Sequence, residues 1–168
     1  MLDREGLESL VAHSTQAMTV APIGWVRSSR IQPVDDAWDR ESSTIELNPD
    51  LVDQDAALGL DGFSHLEVVY RFHLVAESEA VRGARRPRGN ADWPLVGILA
   101  QRAKNRPNRL GVTCCRLIAV RGASIEVAGL DAIAGTPVLD IKPYLAEFGP
   151  RGEVTQPAWS TELMKDYW

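Results

Sequence analysis

Short segments with the pattern of β-strands follow one another from Pro22 onwards, spaced too closely for a helix between each pair. The longest, residues 64–75, alternates strictly, so that one face would carry Leu66, Val68, Tyr70, Phe72 and Leu74. Strands joined by short turns pair with their neighbours in antiparallel fashion. We therefore predict an all-β fold, built as a mostly antiparallel sheet, sandwich or barrel.

The predicted strands are bounded by Gly, Pro or Asn residues, which are typical of turns. We expect strands at residues 23–26, 44–47, 64–75, 95–100, 112–120, 124–130 and 137–141. A short helix is expected at the start of the chain, where apolar residues recur at helical spacing, namely Leu2, Leu7, Leu10 and Val11. A second short helix is expected at the end of the chain, capped by Ser160 or Thr161.

The 168 residues suffice for one domain whose core needs neither a disulfide nor a structural metal. Residues 1–12 carry acids and no apolar run, unlike a secretory signal, and no run approaches the roughly 18 apolar residues of a membrane span. Cys114 and Cys115 are adjacent, which disfavours a disulfide between them and suits a reducing compartment. In a strand they would face opposite ways, so at least one is expected in the core. We expect a cytoplasmic protein without membrane contact or metal.

Positive charge is concentrated in one part of an acidic chain. The net charge is −5, yet residues 82–116 contain nine basic residues and a single acid, Asp92. Such a basic segment can attract an anionic partner such as a nucleic acid. The alternative is that the fold scatters these arginines and pairs them with nearby carboxylates.

Several nucleotide-binding and hydrolase motifs are absent. The thirteen glycines are never closer than three residues apart, which excludes G-x-G-x-x-G, and no P-loop is present. There is also no H-E-x-x-H, C-x-x-C or G-x-S-x-G sequence. His65 and His73 lie eight residues apart, so a straight strand would not bring them to one metal ion. A Rossmann-type site and zinc, redox or serine-hydrolase chemistry are therefore disfavoured.

Four motifs resemble one known family, and they occur in the family's order. They are I-G-x-V-R-S at residues 23–28, D-G-F-S-H at 61–65, R-x-x-x-R-P-N-x-x-G at 102–111 and D-x-x-x-G-T-P-V-L-D-I-K-P at 131–143. Together they resemble the TsaA-like (TrmO-type) methyltransferases. The chain departs from the family pattern in lacking two prolines in the third motif and in having Ala134 where the family has an aspartate.

The resemblance implies a small, mostly antiparallel β-barrel that binds S-adenosylmethionine without a Rossmann fold. It also implies a homodimer with the cofactor near the subunit interface. The implied activity is methylation of the exocyclic amino group of threonylcarbamoyladenosine beside the tRNA anticodon. On this basis we expect an N-terminal extension at residues 1–19, a barrel domain at 20–148 and a helical tail at 149–168.

The same resemblance implies a set of site residues. Asp131 is the candidate catalytic carboxylate, because it can accept an N–H of the acceptor amine. The expected cofactor-binding residues are Asp36, Trp38, His73, Arg102, Val112, Asp131, Ile133, Ala134, Gly135 and Thr136. The expected substrate-binding residues are Arg106, Asn108 and Arg109, whose loop is rich in cations.

Two further questions stay open on the sequence alone. The apolar tail residues Trp159, Leu163, Met164 and Trp168 suit either the dimer contact or a lid that folds back over the chain's own barrel. The motifs also suit a methyltransferase of the same barrel that acts on a small metabolite or another RNA. A non-catalytic barrel that senses the cofactor or binds RNA is the third alternative.

Overall fold

A computed structural model describes residues 17–168. The predicted N-terminal helix lies outside these residues. Six strands form a closed barrel in the order β1-β2-β7-β6-β3-β8, and the all-β prediction is confirmed. The strands are β1 (Gly24–Arg27), β2 (Ser42–Leu47), β3 (His65–Arg71), β4 (Ala84–Arg85), β5 (Val96–Gly97), β6 (Leu110–Arg121), β7 (Ser124–Ala128) and β8 (Pro137–Pro143).

Every pair of neighbouring strands in the barrel is antiparallel, and the pairing of Gly24 in β1 with Val138 in β8 closes it. Strands β4 and β5 form a separate two-stranded sheet. The remaining elements within residues 17–168 are six 3₁₀ helices and one α-helix, α1 (Ala158–Leu163). The 3₁₀ helices span Trp38–Arg40, Leu60–Gly62, Glu77–Glu79, Pro87–Gly89, Ile98–Ala100 and Ala146–Phe148.

The barrel interior is filled by the inward-facing residues of its strands, as the alternating pattern predicts. In β3 these are Leu66, Val68 and Tyr70, each at most 1% exposed. They pack with apolar residues from the other strands, among them Val26, Ile45, Cys115, Ile125, Val127 and Val138, and with Leu130, which follows β7. The core therefore lies inside a single closed sheet.

The predicted strand at residues 64–75 is too long. Strand β3 ends at Arg71, and the chain then turns, with the Val75 amide donating to the Phe72 carbonyl at 3.3 Å. Leu74 is 60% exposed, so its assignment to the inner face is wrong. The alternation continues past the point where the barrel ends because the turn is also rich in apolar residues.

Two other expected elements differ from the structure. The segment 95–100 contributes only the two residues of β5 and then a 3₁₀ helix. Helix α1 begins after Pro157, not after a Ser160 or Thr161 cap. Proline suits a helix start because it has no N–H to leave without a partner, and the Ser160 hydroxyl donates to the Pro157 carbonyl at 2.7 Å.

The C-terminal tail folds back over its own barrel. The amide of Ala37 donates to the Asp166 carbonyl at 2.9 Å, and the amide of Trp38 donates to the Tyr167 carbonyl at 3.0 Å. The Trp93 indole donates to Glu162 at 2.9 Å. The tail therefore covers its own barrel, as the lid role predicts, and a dimer contact through its outer side stays a prediction.

The two cysteines face opposite ways, as expected for neighbours in a strand. Cys114 is exposed and Cys115 lies in the core. Burial, with smaller contributions from Cys114 and Asp131, raises the pKa of Cys115 to about 12. Within residues 17–168, no helix is long and apolar enough to cross a membrane. In the same part of the chain, no three His, Cys, Asp or Glu side chains are grouped to hold a metal ion.

Candidate functional site

A cavity of about 540 Å³ lies at the end of the barrel where β3 and β7 finish and β6 and β8 begin. Its walls also include the loop at residues 33–38 and the C-terminal tail. Small-molecule sites in proteins usually occupy about 300–1,000 Å³ and carry mostly apolar walls with a few polar groups. The aromatic part of the lining consists of Trp38, Tyr70, Phe72, Trp159, Tyr167 and Trp168.

The carboxylate of Asp131 accepts hydrogen bonds from three hydroxyl groups in the cavity wall. Its Oδ1 accepts a hydrogen bond from the Tyr70 hydroxyl at 2.5 Å and another from the Thr113 hydroxyl. Its Oδ2 accepts a hydrogen bond from the Tyr167 hydroxyl at 2.5 Å. The carboxylate thus joins the barrel, through Tyr70 and Thr113, to the tail.

Strand register brings the barrel partners of Asp131 together. Tyr70 is the last inward residue of β3, and it pairs with Gly111 of β6, two residues before Thr113. The register of β3 against β8 shifts between Val69 and Tyr70, a bulge of the kind that redirects a side chain. A β-carbon at Gly111 would lie 2.4 Å from the Tyr70 ring, so this close packing requires glycine.

Both tyrosines that contact Asp131 keep their protons at neutral pH. Burial and the nearby Asp131 carboxylate raise the pKa of Tyr70 well above its usual value of 10.0. The same two causes raise the pKa of Tyr167. A higher pKa for a phenol means that the neutral hydroxyl persists further into the alkaline range, so both groups act as hydrogen-bond donors to Asp131.

The loop between β7 and β8 forms the next part of the wall. Thr136 is 3% exposed and Ile133 is 8% exposed, and both line the cavity. Gly135 has a φ of 81°, a conformation that favours glycine. Its amide donates to the Val26 carbonyl at 2.8 Å, which fixes the loop against β1. His73 lies beside Gly135, and burial lowers the pKa of its imidazole, so the ring is neutral at pH 7.

Trp38 closes the opposite wall. It is 5% exposed, and its indole Nε1 has no hydrogen-bond partner among the described residues. The guanidinium of Arg30 lies 3.7 Å from the centre of its ring. Asp36, two residues before Trp38, has a positive φ of 78°. Its Oδ1 pairs with Nη2 of Arg88 at 2.6 Å. The indole N–H of Trp38 is therefore a buried donor that no described residue satisfies.

Six of the ten expected cofactor-binding residues line the cavity, namely Trp38, His73, Arg102, Asp131, Ile133 and Thr136. The other four are not part of its lining. The carboxylate of Asp36 accepts a hydrogen bond from Arg88. The main-chain carbonyl of Val112 accepts a hydrogen bond from Arg102. Ala134 and Gly135 line a second pocket, of about 420 Å³, beside Trp25 and Arg27.

The three expected substrate-binding residues lie outside the cavity lining. Arg106 donates to the Gln101 carbonyl at 3.3 Å, and Arg109 donates to the Val75 carbonyl at 3.0 Å. Asn108 is exposed. Within residues 17–168, Arg88 is the one member of the basic segment that forms an ion pair, so the segment's charge is largely not neutralised by carboxylates.

Sequence reasoning missed four residues of the site. The alternation of β3 predicts Tyr70 as a core residue, which gives no sign of its contact with Asp131. Thr113 belongs to none of the motifs. Tyr167 lies in no motif, and the aromatic content of the tail is the signal that the sequence offers for it. Lys104 lines the cavity, and its position inside the third motif was the one available signal.

Comparisons with known proteins agree with the fold. Residues 28–149 match the family model of the tRNA-methyltransferase O N-terminal domain. A crystal structure of TrmO from Pseudomonas aeruginosa superposes with a TM-score of 0.68 at 27% identity, covering 86% of this chain and 62% of that one.

Two curated relatives differ in how much of their length is shared. The human tRNA (adenine(37)-N6)-methyltransferase is 38% identical over 100 residues, which are 60% of this chain and 22% of the relative. A probable S-adenosyl-L-methionine-binding protein of Methanothermobacter thermautotrophicus is 36% identical over 143 residues, or 83% of this chain and 98% of the relative. The chain thus spans about a fifth of the human enzyme. On the match to residues 28–149 and the shared barrel, the chain belongs to the tRNA-methyltransferase O family.

Proposed function

We propose that this protein is an S-adenosylmethionine-dependent methyltransferase that acts on the exocyclic amino group of threonylcarbamoyladenosine in tRNA. The observation that carries the proposal is the position of Asp131, a carboxylate held by three hydroxyl groups in the wall of a largely apolar cavity. Membership of the tRNA-methyltransferase O family supports the same activity.

The residues of the cavity suit S-adenosylmethionine. The volume is sufficient for a ligand of this size, and the aromatic walls suit both an adenine ring and a sulfonium cation. The indole N–H of Trp38 and the hydroxyl of Thr136 are polar groups for the nucleoside part. Arg102 and Lys104, which also line the cavity, are cations for the carboxylate of the amino-acid part.

The reaction requires little covalent help from the protein. When bound, the cofactor supplies a methyl group whose bond to sulfur breaks with the electron pair left on sulfur. The acceptor nitrogen has its lone pair delocalised into the adenine ring, and after it gains the methyl group it must lose one proton. We assign that proton to Asp131, and the aromatic walls exclude water while the two groups are held in line.

Asp131 has an acceptor position left for this purpose. A carboxylate offers about four lone-pair positions on its two oxygens. Oδ1 is occupied by Tyr70 and Thr113, and Oδ2 is occupied once, by Tyr167. One position on Oδ2 therefore remains for the N–H of the acceptor.

The basic segment, residues 82–116, supplies the contact with the tRNA backbone in this proposal. Arg106, Asn108 and Arg109 lie in its loop, and the segment forms few ion pairs within the chain. We further propose residues 20–148 as the barrel domain, a homodimer as the assembly and the cytoplasm as the location of the enzyme. The homodimer would use a surface other than the tail's inner face, since that face covers the chain's own cavity.

One observation favours a second candidate. The relative that this chain covers almost completely is described as a cofactor-binding protein, whereas the human tRNA methyltransferase is much longer than this chain. The second candidate is a barrel that binds S-adenosylmethionine and acts on a small metabolite, or on no substrate at all.

The experiment that separates the candidates is nucleoside mass spectrometry of tRNA from a deletion strain. The proposed function predicts that methylated threonylcarbamoyladenosine disappears in the deletion strain and returns with the wild-type gene. The Asp131→Asn gene tests the role of the carboxylate and should restore much less of the nucleoside than the wild-type gene does. An unchanged nucleoside profile in the deletion strain would favour the second candidate.

Substitution of Arg102 is expected to weaken cofactor binding. Arg102→Ala removes a cation of the cavity wall, and losing a charge-assisted hydrogen bond of about 1.5–3 kcal/mol lowers affinity by about 10- to 100-fold. Titration calorimetry with S-adenosylmethionine measures the effect. Arg82→Ala, an exposed member of the same basic segment that does not line the cavity, is the control and should bind as the wild type does. Equal affinities for all three proteins would remove Arg102 from the cofactor site.

Binding of tRNA is expected to depend steeply on salt. Each phosphate contact with a single strand contributes a slope of about −0.7 in a plot of log affinity against log salt. Arg106→Gln should make the slope shallower by about that amount. Arg121→Gln is the control, because Arg121 is already paired with Glu126 at 2.7 Å. Affinity that does not change with salt would contradict the tRNA contact and favour a small substrate.

A further inference from the structure

We propose that Tyr167 is a positioning residue, which holds the second oxygen of Asp131 so that its remaining acceptor position is available to the substrate amine. The proposal rests on the proposed methyl transfer and deepens it. It gives the C-terminal tail a role in the reaction in addition to covering the cavity.

The first step of the argument is the distribution of donors around Asp131. The barrel holds Oδ1 alone, through Tyr70 and Thr113. A carboxylate fixed at one oxygen can still swing its other oxygen about that anchor. The hydroxyl of Tyr167 is the one described donor to Oδ2, and its 2.5 Å bond fixes the carboxylate plane.

The second step is that the tail holds Tyr167 firmly. The carbonyls of Asp166 and Tyr167 accept hydrogen bonds from the amides of Ala37 and Trp38, at 2.9 and 3.0 Å. The ring of Trp168 meets the Tyr167 ring edge to face, with the ring centres 5.0 Å apart. Main-chain and ring contacts therefore set the place of the hydroxyl independently of Asp131.

The third step is that Tyr167 is suited to donate and not to react. Burial and Asp131 raise its pKa, so the hydroxyl stays protonated under ordinary conditions. Its proton is directed to Oδ2, and a second proton from the acceptor amine would approach the same oxygen. Tyr167 thus acts through Asp131.

The test removes the hydroxyl and keeps the ring. Tyr167→Phe is expected to lower kcat for methyl transfer by about tenfold or more, since a hydrogen bond to a charged group is lost. The KM for tRNA and the affinity for S-adenosylmethionine should stay within about twofold, because the aromatic wall is kept. Tyr144→Phe, the same change outside the cavity lining, is the control and should leave all three values unchanged.

A second variant separates the hydroxyl from docking of the tail. Glu162→Ala removes the acceptor of the Trp93 indole and leaves Tyr167 intact. Hydrogen exchange at the amides of Ala37 and Trp38 reports whether the tail is docked in each variant. We expect Glu162→Ala to keep kcat. Equal losses of kcat in Glu162→Ala and Tyr167→Phe would overturn the proposal in favour of tail docking alone.

A readout without cofactor completes the test. The infrared carboxylate band of Asp131, assigned from the Asp131→Asn difference spectrum, should shift in Tyr167→Phe and not in Tyr144→Phe. An unshifted band, or a wild-type kcat in Tyr167→Phe, would overturn the positioning role while leaving the proposed function in place. A wild-type protein that binds tRNA and cofactor but transfers no methyl group would refute the proposed function, and with it the role of Tyr167.

Discussion

Asp131→Asn is expected to lower kcat for methyl transfer by about 10²- to 10⁴-fold, the range typical of removing a general base. The amide cannot take up the proton that the acceptor nitrogen loses. It has nearly the shape of the carboxylate and can still accept hydrogen bonds from Tyr70 and Thr113. The affinity for S-adenosylmethionine should therefore change by no more than a few fold. Single-turnover transfer of a labelled methyl group to tRNA measures the rate.

The control for this substitution is Asp140→Asn. Asp140 lies in β8, is paired with Lys142 and does not line the cavity, so its substitution should leave the rate unchanged. If Asp131→Asn retained the wild-type rate, the proton would be leaving by another route, and Asp131 would have a purely structural role in joining the tail to the barrel.

Gly111→Ala is expected to destabilise the fold and the site together. A β-carbon at this position would lie 2.4 Å from the ring of Tyr70, which is 1% exposed and cannot shift without disturbing its hydrogen bond to Asp131. Overpacking of this kind costs about 1–3 kcal/mol of unfolding free energy. The displaced ring would also lose its hydrogen bond to Asp131, so kcat should fall further than the loss of stability explains. Thermal and urea unfolding give the first effect, and the transfer assay gives the second.

Gly97→Ala is the matched control, because a β-carbon there has open space and the residue has an ordinary φ of −58°. A double-mutant cycle with Tyr70→Leu identifies the cause. In the Tyr70→Leu background, Gly111→Ala should be less destabilising than in the wild type, since the ring that it meets is gone. If Gly111→Ala lowered the unfolding free energy equally in the two backgrounds, Gly111 would be required for some reason other than its contact with Tyr70.

The strands of the barrel were largely predictable from the sequence, and its closure was not. Alternation places Leu66, Val68 and Tyr70 on one face because neighbouring strand residues point to opposite sides, a purely local rule. Closure depends on the pairing of Gly24 with Val138, two segments far apart in the chain. Local periodicity carries no information on that pairing, so the residues alone left an open sheet, a sandwich and a barrel as alternatives.

Some residues of the candidate site were predictable from the sequence, and others were not. Asp131 and Thr136 stand in a recognisable motif, and the structure brings both into the cavity wall. Tyr167 has no motif, and its place depends on backbone bonds between residues 37–38 and 166–167. Asp36 was expected at the cofactor, yet its side chain pairs with Arg88 from another part of the chain. Contacts between loops distant in sequence decide such positions, and composition does not reveal them.

The most direct test of the central claim is methyl transfer in a purified system. Wild-type protein, labelled S-adenosylmethionine and tRNA carrying threonylcarbamoyladenosine are incubated together, and the digested nucleosides are separated by mass spectrometry. The account predicts label on the exocyclic nitrogen of threonylcarbamoyladenosine with the wild-type protein, and transfer slower by about 10²-fold or more with Asp131→Asn. A wild-type protein that binds the cofactor but leaves this nucleoside unlabelled, or places the label on a different one, would contradict it.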